Sequence, residues 1–338
     1  MTSNPQLSVI VLAAGKGTRM KSGKAKVLHE VFFAPMLHHV LQAIAPLSPE
    51  RTVVIVGHQR EAVEKSVAPY SVIAVNQEEQ LGTGHAVAIA EHAIPETTDT
   101  VMVLCGDTPL IRPETLQEMY ATHRNSGADL TVMTTLLDNP TNYGRIITDK
   151  NNLVLGIVEE KDASVEQKAI QEINAGIYCV DKQFLFTALA QVDTNNSQGE
   201  VYLTDIVAIA VREARKVEKY VCSRPKDVLG VNSRVELAEA HGQLQQRRNV
   251  EVMLQGVTIQ SPETVSISSA AIVGRDSLIK SGVQIHGTTI VGEKCVIGNG
   301  AILTNCQLGD NVEIGPYAVL HDCSMPDKTI VAPHSTTF

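Results

Sequence analysis

From residue 272 onward an aliphatic side chain recurs every six positions: Ile272, Leu278, Ile290, Val296, Ile302, Leu308, Ile314 and Leu320. Gln284 is the one interruption, and Val283 and Ile285 flank it. Turn formers fill the intervals, in "GRDS", "GEKC", "GNGA", "GDNV" and "GPYA". A period of six is neither the 3.6 of a helix nor the 2 of a half-buried strand. It fits a coil of short flat strands, with one hexad per face. Eight matches in nine positions argue against ordinary Gly-punctuated strands. Three hexads close one triangular coil, so nine positions predict about three coils of a parallel β-helix over residues 255–338. The tail "DCSMPDKTIVAPHSTTF" leaves this register and turns polar, which predicts a cap over the end coil.

The preceding 231 residues follow another rule. Short β-branched runs occur at "TVVIV" (52–56), "SVIAV" (71–75), "TVMVL" (100–104), "DLTVM" (129–133) and "GIYCV" (176–180). Helical periodicities lie between them, as in Leu37, Val40, Leu41 and Ile44 after Pro35. This alternation predicts an α/β domain over 1–231 with a doubly wound, mostly parallel sheet. Ligands of such sheets bind beyond the carboxyl ends of the strands. Residues 232–254 read as a polar linker helix, with Ser233 and Glu236 at capping-box spacing.

The net charge of −9 argues against binding nucleic acid through general electrostatics, so any anionic ligand has to meet local positive groups. Six cysteines show neither C-x-x-C pairs nor a disulfide framework, which suits a reduced cytoplasm. No apolar run is long enough for a membrane span, and no signal-peptide pattern opens the chain.

Four stretches carry candidate chemistry. "LAAGKGTRM" (12–20) follows the strand-like "LSVIV". Its glycines let backbone N–H groups approach phosphate oxygens, and Lys16 and Arg19 add charge. The same residues also fit a solvated turn, and the spacing is neither G-x-G-x-x-G nor a P-loop. In "KAKVLHEV", Lys26 could point back toward that loop or sit on the surface. In "QEEQLGTGHA", Gly82 and Thr83 open a helix with free N–H donors, and the Gln77 amide could read a base edge as donor and acceptor. The alternative is a plain loop with Thr83 as N-cap. In "VMVLCGDTPL", Asp107 ends an apolar strand, where it suits Mg²⁺ better than an edge turn.

With these residues in place, the sequence resembles the nucleoside-diphosphate-sugar pyrophosphorylases. Within them it is most similar to the bifunctional bacterial enzymes that make UDP-N-acetylglucosamine, a cell-wall (peptidoglycan) precursor. "LAAGKGTRM", "KVLH", "EQLGTGHA", "GDTPL", "YGRI", "GIVEEKDA", "EINAGI", "GEVYLTDI" and "GVNSR" follow in the family's order, over residues 8–323. The resemblance implies a nucleotide-diphospho-sugar transferase fold followed by a left-handed β-helix. It implies that Leu12, Ala13, Ala14, Gly15, Gln77, Gly82 and Thr83 hold the uridine, with Arg19 on the triphosphate and Lys26 on the reacting phosphates. Asp107 and Asn232 would ligate Mg²⁺, and Gly144, Glu159 and Asn174 would contact the amino sugar. On the residues alone, "YGRI" reads as a hairpin turn, and Glu159, Asn174 and Asn232 as ordinary strand-end or helix-cap groups.

The implied reaction is attack by N-acetylglucosamine 1-phosphate on the α-phosphorus of UTP, with release of pyrophosphate. A phosphate nucleophile needs no general base, so alignment and charge neutralisation carry catalysis. His29 and His85 then read as packing residues. The resemblance further implies a homotrimer through the β-helix and a cytoplasmic enzyme without nucleic-acid or membrane partners. Three departures stand out: Ala25 where a proline usually precedes Lys26, "FFAP" for a Gly-Lys-Pro turn, and Cys105 for a tyrosine. The family's longer β-helix carries an acetyltransferase site for glucosamine 1-phosphate beyond the last residue here, so no acetyl transfer is expected. The rival readings are a pyrophosphorylase for another sugar phosphate, such as glucose 1-phosphate, and a non-catalytic regulatory subunit of the same fold.

Overall fold

A computed structural model describes residues 4–337. The chain divides into two units: residues 1–30 with 34–234, and residues 31–33 with 235–338.

The first unit is built on nine strands: β1 (Asn4–Leu12), β2 (Pro49–Val56), β3 (Ile73–Asn76), β4 (Thr100–Cys105), β5 (Leu130–Leu136), β6 (Arg145–Thr148), β7 (Val154–Val158), β8 (Glu172–Asp181) and β9 (Val217–Val221). The main path runs β9-β5-β8-β4-β1-β2-β3. Strand β1 pairs in parallel with both β2 and β4. β2 pairs in parallel with β3, and β9 with β5. Only β8 runs antiparallel to its path neighbours β4 and β5, and β6 and β7 form an antiparallel hairpin beside it. The sheet is therefore doubly wound and mostly parallel, as the alternation predicted.

Its central strands are largely apolar because both faces are covered. Leu7, Val9 and Val11 pack on one side with helices Met36–Ile44 and Pro113–Ser126. Ile10 points to the other, with Lys182–Leu189 and Asp205–Arg212. Strand order reverses between β1 and β4, and there the Gly106 N–H donates to the Leu12 carbonyl at 2.9 Å. That is the switch point at which such sheets bind ligands.

The second unit is a parallel β-helix of short strands in three ladders, with one ladder per face. The period is as read, but its phase is not. The inward side chains are Ile267, Val273, Ile279, Ile285, Val291, Ile297 and Leu303, all buried. Each of the first six expected positions lies one residue earlier, and Ile272 and Ile290 are exposed. Between Leu303 and Leu308 the coil loses one residue, so Leu308, Ile314 and Leu320 do face inward. Strand pairing records the same change: Ile272 pairs with Ile290, but Ile290 pairs with Gln307. A two-residue strand with aliphatic side chains on both faces leaves the inward one undecided from sequence. The one-residue deletion then merged two different sets into one apparent series.

The tail is also corrected. It does not leave the coil. Ser324–Met325 pairs with Gln307–Leu308, and Ile330–Val331 pairs with Glu313–Ile314. Its break in register is a second one-residue shortening, and the longest ladder has five strands, more than three coils allow. The capping contacts lie at the other end, on helix Arg234–Leu254. The Asn249 amide donates to the Pro262 and Val265 carbonyls at 2.7 and 2.8 Å, and Gln245 donates to Val265 at 2.7 Å. Arg248 donates to the Ala271 carbonyl at 2.6 Å. The polar helix read as a linker thus satisfies carbonyls of the first coil.

Residues 31–33 join this unit through a tight turn. Phe32 and Phe33, between the two-residue strands Glu30–Val31 and Ala34–Pro35, both have left-handed backbones, with φ of 42° and 70°. Such a turn normally holds Asn-Gly. Here the Phe32 ring meets His241 edge-on at 5.7 Å, and Phe33 meets His286 at 5.1 Å.

Candidate active site

The loop after β1 and the one after β4 frame a cleft of about 420 Å³ at the switch point. Of the sequence-predicted nucleotide residues, Leu12, Ala13, Ala14, Gly15, Gln77, Gly82 and Thr83 all line it. So do Arg19, Lys26, Asp107 and Asn232. Lys16 is not among its lining residues.

Two glycines are dictated by geometry. Gly17 has φ of 59°, and a Cβ there would stand 2.5 Å from the Lys26 Cβ. The loop must therefore be bare where Lys26 enters. Gly82 has φ of 114°, and its Cβ would meet the Val201 carbonyl at 2.5 Å. Gly82 is also the N-cap of helix Thr83–Ala88, a role the alternative reading gave to Thr83. The Thr83 hydroxyl instead accepts from the Leu203 N–H at 3.0 Å, tying down the segment after Glu200.

Four polar side chains converge at one end of the cleft. Lys26 Nζ forms an ion pair with Asp107 and donates to Asn232 Oδ1. Arg19 donates to the same Asn232 oxygen at 2.9 Å. These residues are separated by as many as 213 positions in sequence. Two cations, a carboxylate and an amide oxygen therefore meet at the carboxyl ends of two central strands.

Gln77 begins the loop after β3 and is anchored by its own N–H to the Val56 carbonyl at 2.7 Å. Its side chain was expected to offer a base both a donor and an acceptor. The structure corrects this: Nε2 donates to the Gly82 carbonyl at 3.1 Å and lies 3.1 Å from His85 Nδ1. Sequence reading also passed over Gln80, which lines the cleft and holds the Ala14 carbonyl at 2.8 Å. Its signal was present, in the same "EEQLGTG" motif.

Gly144, Glu159 and Asn174 do not line the nucleotide cleft, but they do meet each other. Gly144 precedes β6 and Glu159 follows β7, so the hairpin brings them together: a Cβ on Gly144 would lie 3.5 Å from Glu159 Oε2. The Asn174 N–H donates to the Gly144 carbonyl at 2.9 Å. Asn174 Nδ2 donates to the Tyr178 hydroxyl at 2.6 Å. The first residue of the hairpin, Arg145, is only 1% exposed and forms an ion pair with Glu160 at 2.7 Å. Arg145 lies within the quoted "YGRI", but the sequence reading gives it no role of its own. Burial raises the Glu159 carboxyl above its usual range, against a Thr204 hydroxyl bond at 3.2 Å.

Cys105 joins the two groups. It lines the cleft, and its Sγ lies 3.7 Å from the Gly176 carbonyl. Burial, with Asp107 adding to it, pushes the thiol up to about 12. At neutral pH it is a protonated, unreactive group, not a nucleophile.

A glycine-lined cleft with converging cations at the switch point is the architecture of a nucleotidyltransferase. Residues 9–150 match the MobA-like NTP transferase domain family. The chain is 55% identical over 305 residues to the bifunctional protein GlmU of Desulfotalea psychrophila, covering 90% of each chain. It is 46% identical to the bifunctional protein GlmU of Geotalea daltonii, over 91% of this chain and 67% of that one. With the one from Geobacter metallireducens the identity is 47%, over 89% and 64%. The protein is a nucleotidyltransferase, and the chain belongs to the GlmU family. It spans about nine tenths of the first of these relatives and about two thirds of the other two. Among the described residues no helix is long and apolar enough to cross a membrane.

Proposed function

We propose that the protein transfers uridylyl from UTP to N-acetylglucosamine 1-phosphate, giving UDP-N-acetylglucosamine and pyrophosphate. The observation that carries this reading is the convergence of Arg19, Lys26, Asp107 and Asn232 on one end of the cleft. In this reading the loop Leu12–Gly15 and the Gly82–Thr83 turn hold the uridine, and Arg19 grips the triphosphate. Lys26 lies against the reacting phosphates. Gly144, Glu159 and Asn174 contact the acetamido sugar beyond Cys105.

The donors fit Mg²⁺. Asp107 and Asn232 present a carboxylate and an amide oxygen close enough to share one ammonium, so they are close enough to share one hard cation. Among the described residues no group of three or more His, Cys, Asp or Glu gathers around them. Phosphate oxygens and water would complete its shell, as is common for Mg²⁺. When bound, the ion supplies charge neutralisation at the phosphates.

The chain's own residues supply alignment. Lys26 and Arg19 offset the negative charge of two phosphorylated substrates that would otherwise repel. With both substrates held in one cleft, the reaction we propose is direct displacement by the sugar phosphate. The β-helix and its outward aliphatic residues Ile272 and Ile290 support a homotrimer, to be checked by sedimentation: a monomer at micromolar concentration would refute it.

The test is pyrophosphate release with UTP, Mg²⁺ and a panel of sugar 1-phosphates. Strong preference for the N-acetylglucosamine compound is the expected result. Preference for glucose 1-phosphate would keep the reaction and change the sugar.

A further inference from the structure

The mechanism leaves His85 unused, and sequence reading treats it as packing. It does not line the cleft. Yet it sits 3.1 Å from the amide nitrogen of Gln77, which does. The Gly82 carbonyl, 3.1 Å from the same amide, can only accept, so the atom facing it has to be the nitrogen. One N–H is thereby spent on Gly82. The other is directed to His85 Nδ1, which must act as acceptor and leave the imidazole proton on Nε2. Turning the amide over would place Gln77 Oε1 against the Gly82 carbonyl and would require His85 to move its proton to Nδ1.

Gln77 itself is only 5% exposed. Its oxygen has no hydrogen-bond partner among the described residues, and it is not one of the side-chain atoms sealed from solvent. What the side chain offers a ligand is a fixed acceptor. Uracil presents a ring N–H at N3, whereas cytosine presents a lone pair there. A fixed acceptor pairs with the first and repels the second.

We propose that His85 is a positioning residue: it locks the Gln77 amide with its oxygen toward the base, and so makes the cleft prefer uracil over cytosine. This rests on the uridylyl reading. Without the His85 acceptor, only Gly82 opposes rotation of the amide, and a rotated amide would donate to cytosine N3.

The experiment compares the full chain with His85→Ala and His85→Asn, the latter keeping an acceptor, Oδ1, near the place of Nδ1. UTP and CTP are used in parallel, with binding by competition and turnover by pyrophosphate release. Wild type should prefer UTP. His85→Ala should lower the UTP-to-CTP ratio of kcat/KM on the order of tenfold, chiefly through KM, as loss of one hydrogen-bond constraint does. His85→Asn should restore most of the ratio. A merely structural role would weaken both nucleotides alike and leave the ratio unmoved. That outcome, or a wild type with no preference, overturns the proposal. If wild type turns over no sugar phosphate but binds UTP selectively through His85, the base reading stands and the uridylyl reading falls. If His85→Ala does not fold, a ratio in His85→Asn unlike wild type overturns the proposal, and a preserved one supports it.

Discussion

The nucleotide unit and the β-helix solve opposite problems. In the first, function is assembled from residues far apart in sequence, and each position matters individually. Asn232 serves both Arg19 and Lys26 across more than two hundred residues. In the second, contacts repeat every 17 or 18 residues, and no single rung is special. The difference teaches where a substitution should be felt: as lost chemistry in one unit, as lost stability in the other.

The sharpest way to break this comparison is Asp107→Asn. It keeps the shape and removes the charge beside Lys26 and the proposed metal. Turnover should fall about a thousandfold, or ~4 kcal/mol of barrier, while thermal stability barely moves. Pyrophosphate release near the wild-type rate would overturn the metal assignment.

In the β-helix the contrast lies between neighbours. Ile285→Ala empties a fully buried site and should cost about 2–5 kcal/mol by denaturant unfolding. Ile272→Ala, at a site 60% exposed, should stay within about 0.5 kcal/mol. Equal losses would contradict the inward register described above.

Arg19→Ala should raise KM for UTP about tenfold, with a smaller change in kcat, since an exposed cation that grips phosphate acts mainly in binding. An unchanged KM would remove Arg19 from the triphosphate.

The smallest effect is a pH dependence at Glu159. Its folded-state pKa is raised from 4.5 by burial. Stability linked to it is therefore full below about pH 4.5 and is lost as pH rises through the folded value. Glu159→Gln should gain on wild type in Tm as pH rises from about 4.5 through the raised folded-state value. A constant difference across that range would mean that Glu159 is not desolvated.

Much of this was legible in the sequence, for identifiable reasons. Apolar runs alternating with helical periods gave the doubly wound sheet, because parallel strands covered on both faces leave no other pattern. Apart from Lys16, the residues expected at the nucleotide line the cleft, because motif loops at the ends of central strands converge there. What escaped were relations between side chains. The direction of the Gln77 amide depends on His85 and on a carbonyl, and no local pattern encodes it. The role of Arg145 depends on Glu160, which only the folded hairpin brings to it. The β-helix phase escaped because Ile272 and Val273 are equally apolar, and only stacking decides which turns inward.

The Phe32-Phe33 turn bears on how the chain comes into being. A left-handed backbone at two bulky residues is unfavourable by about 1 kcal/mol or more at each. What compensates it is contact with His241 and His286, made only after two hundred further residues have been synthesised. A ribosome that has delivered the whole nucleotide unit still holds this turn without its supports. The two-residue strands beside it pair with each other, and the Met36 N–H donates to the His29 carbonyl at 3.0 Å, so it is the turn itself that waits. An early part of the chain is therefore among the last to reach its final form, and folding should show a late step that vanishes when Phe32 and Phe33 are replaced by Asn and Gly.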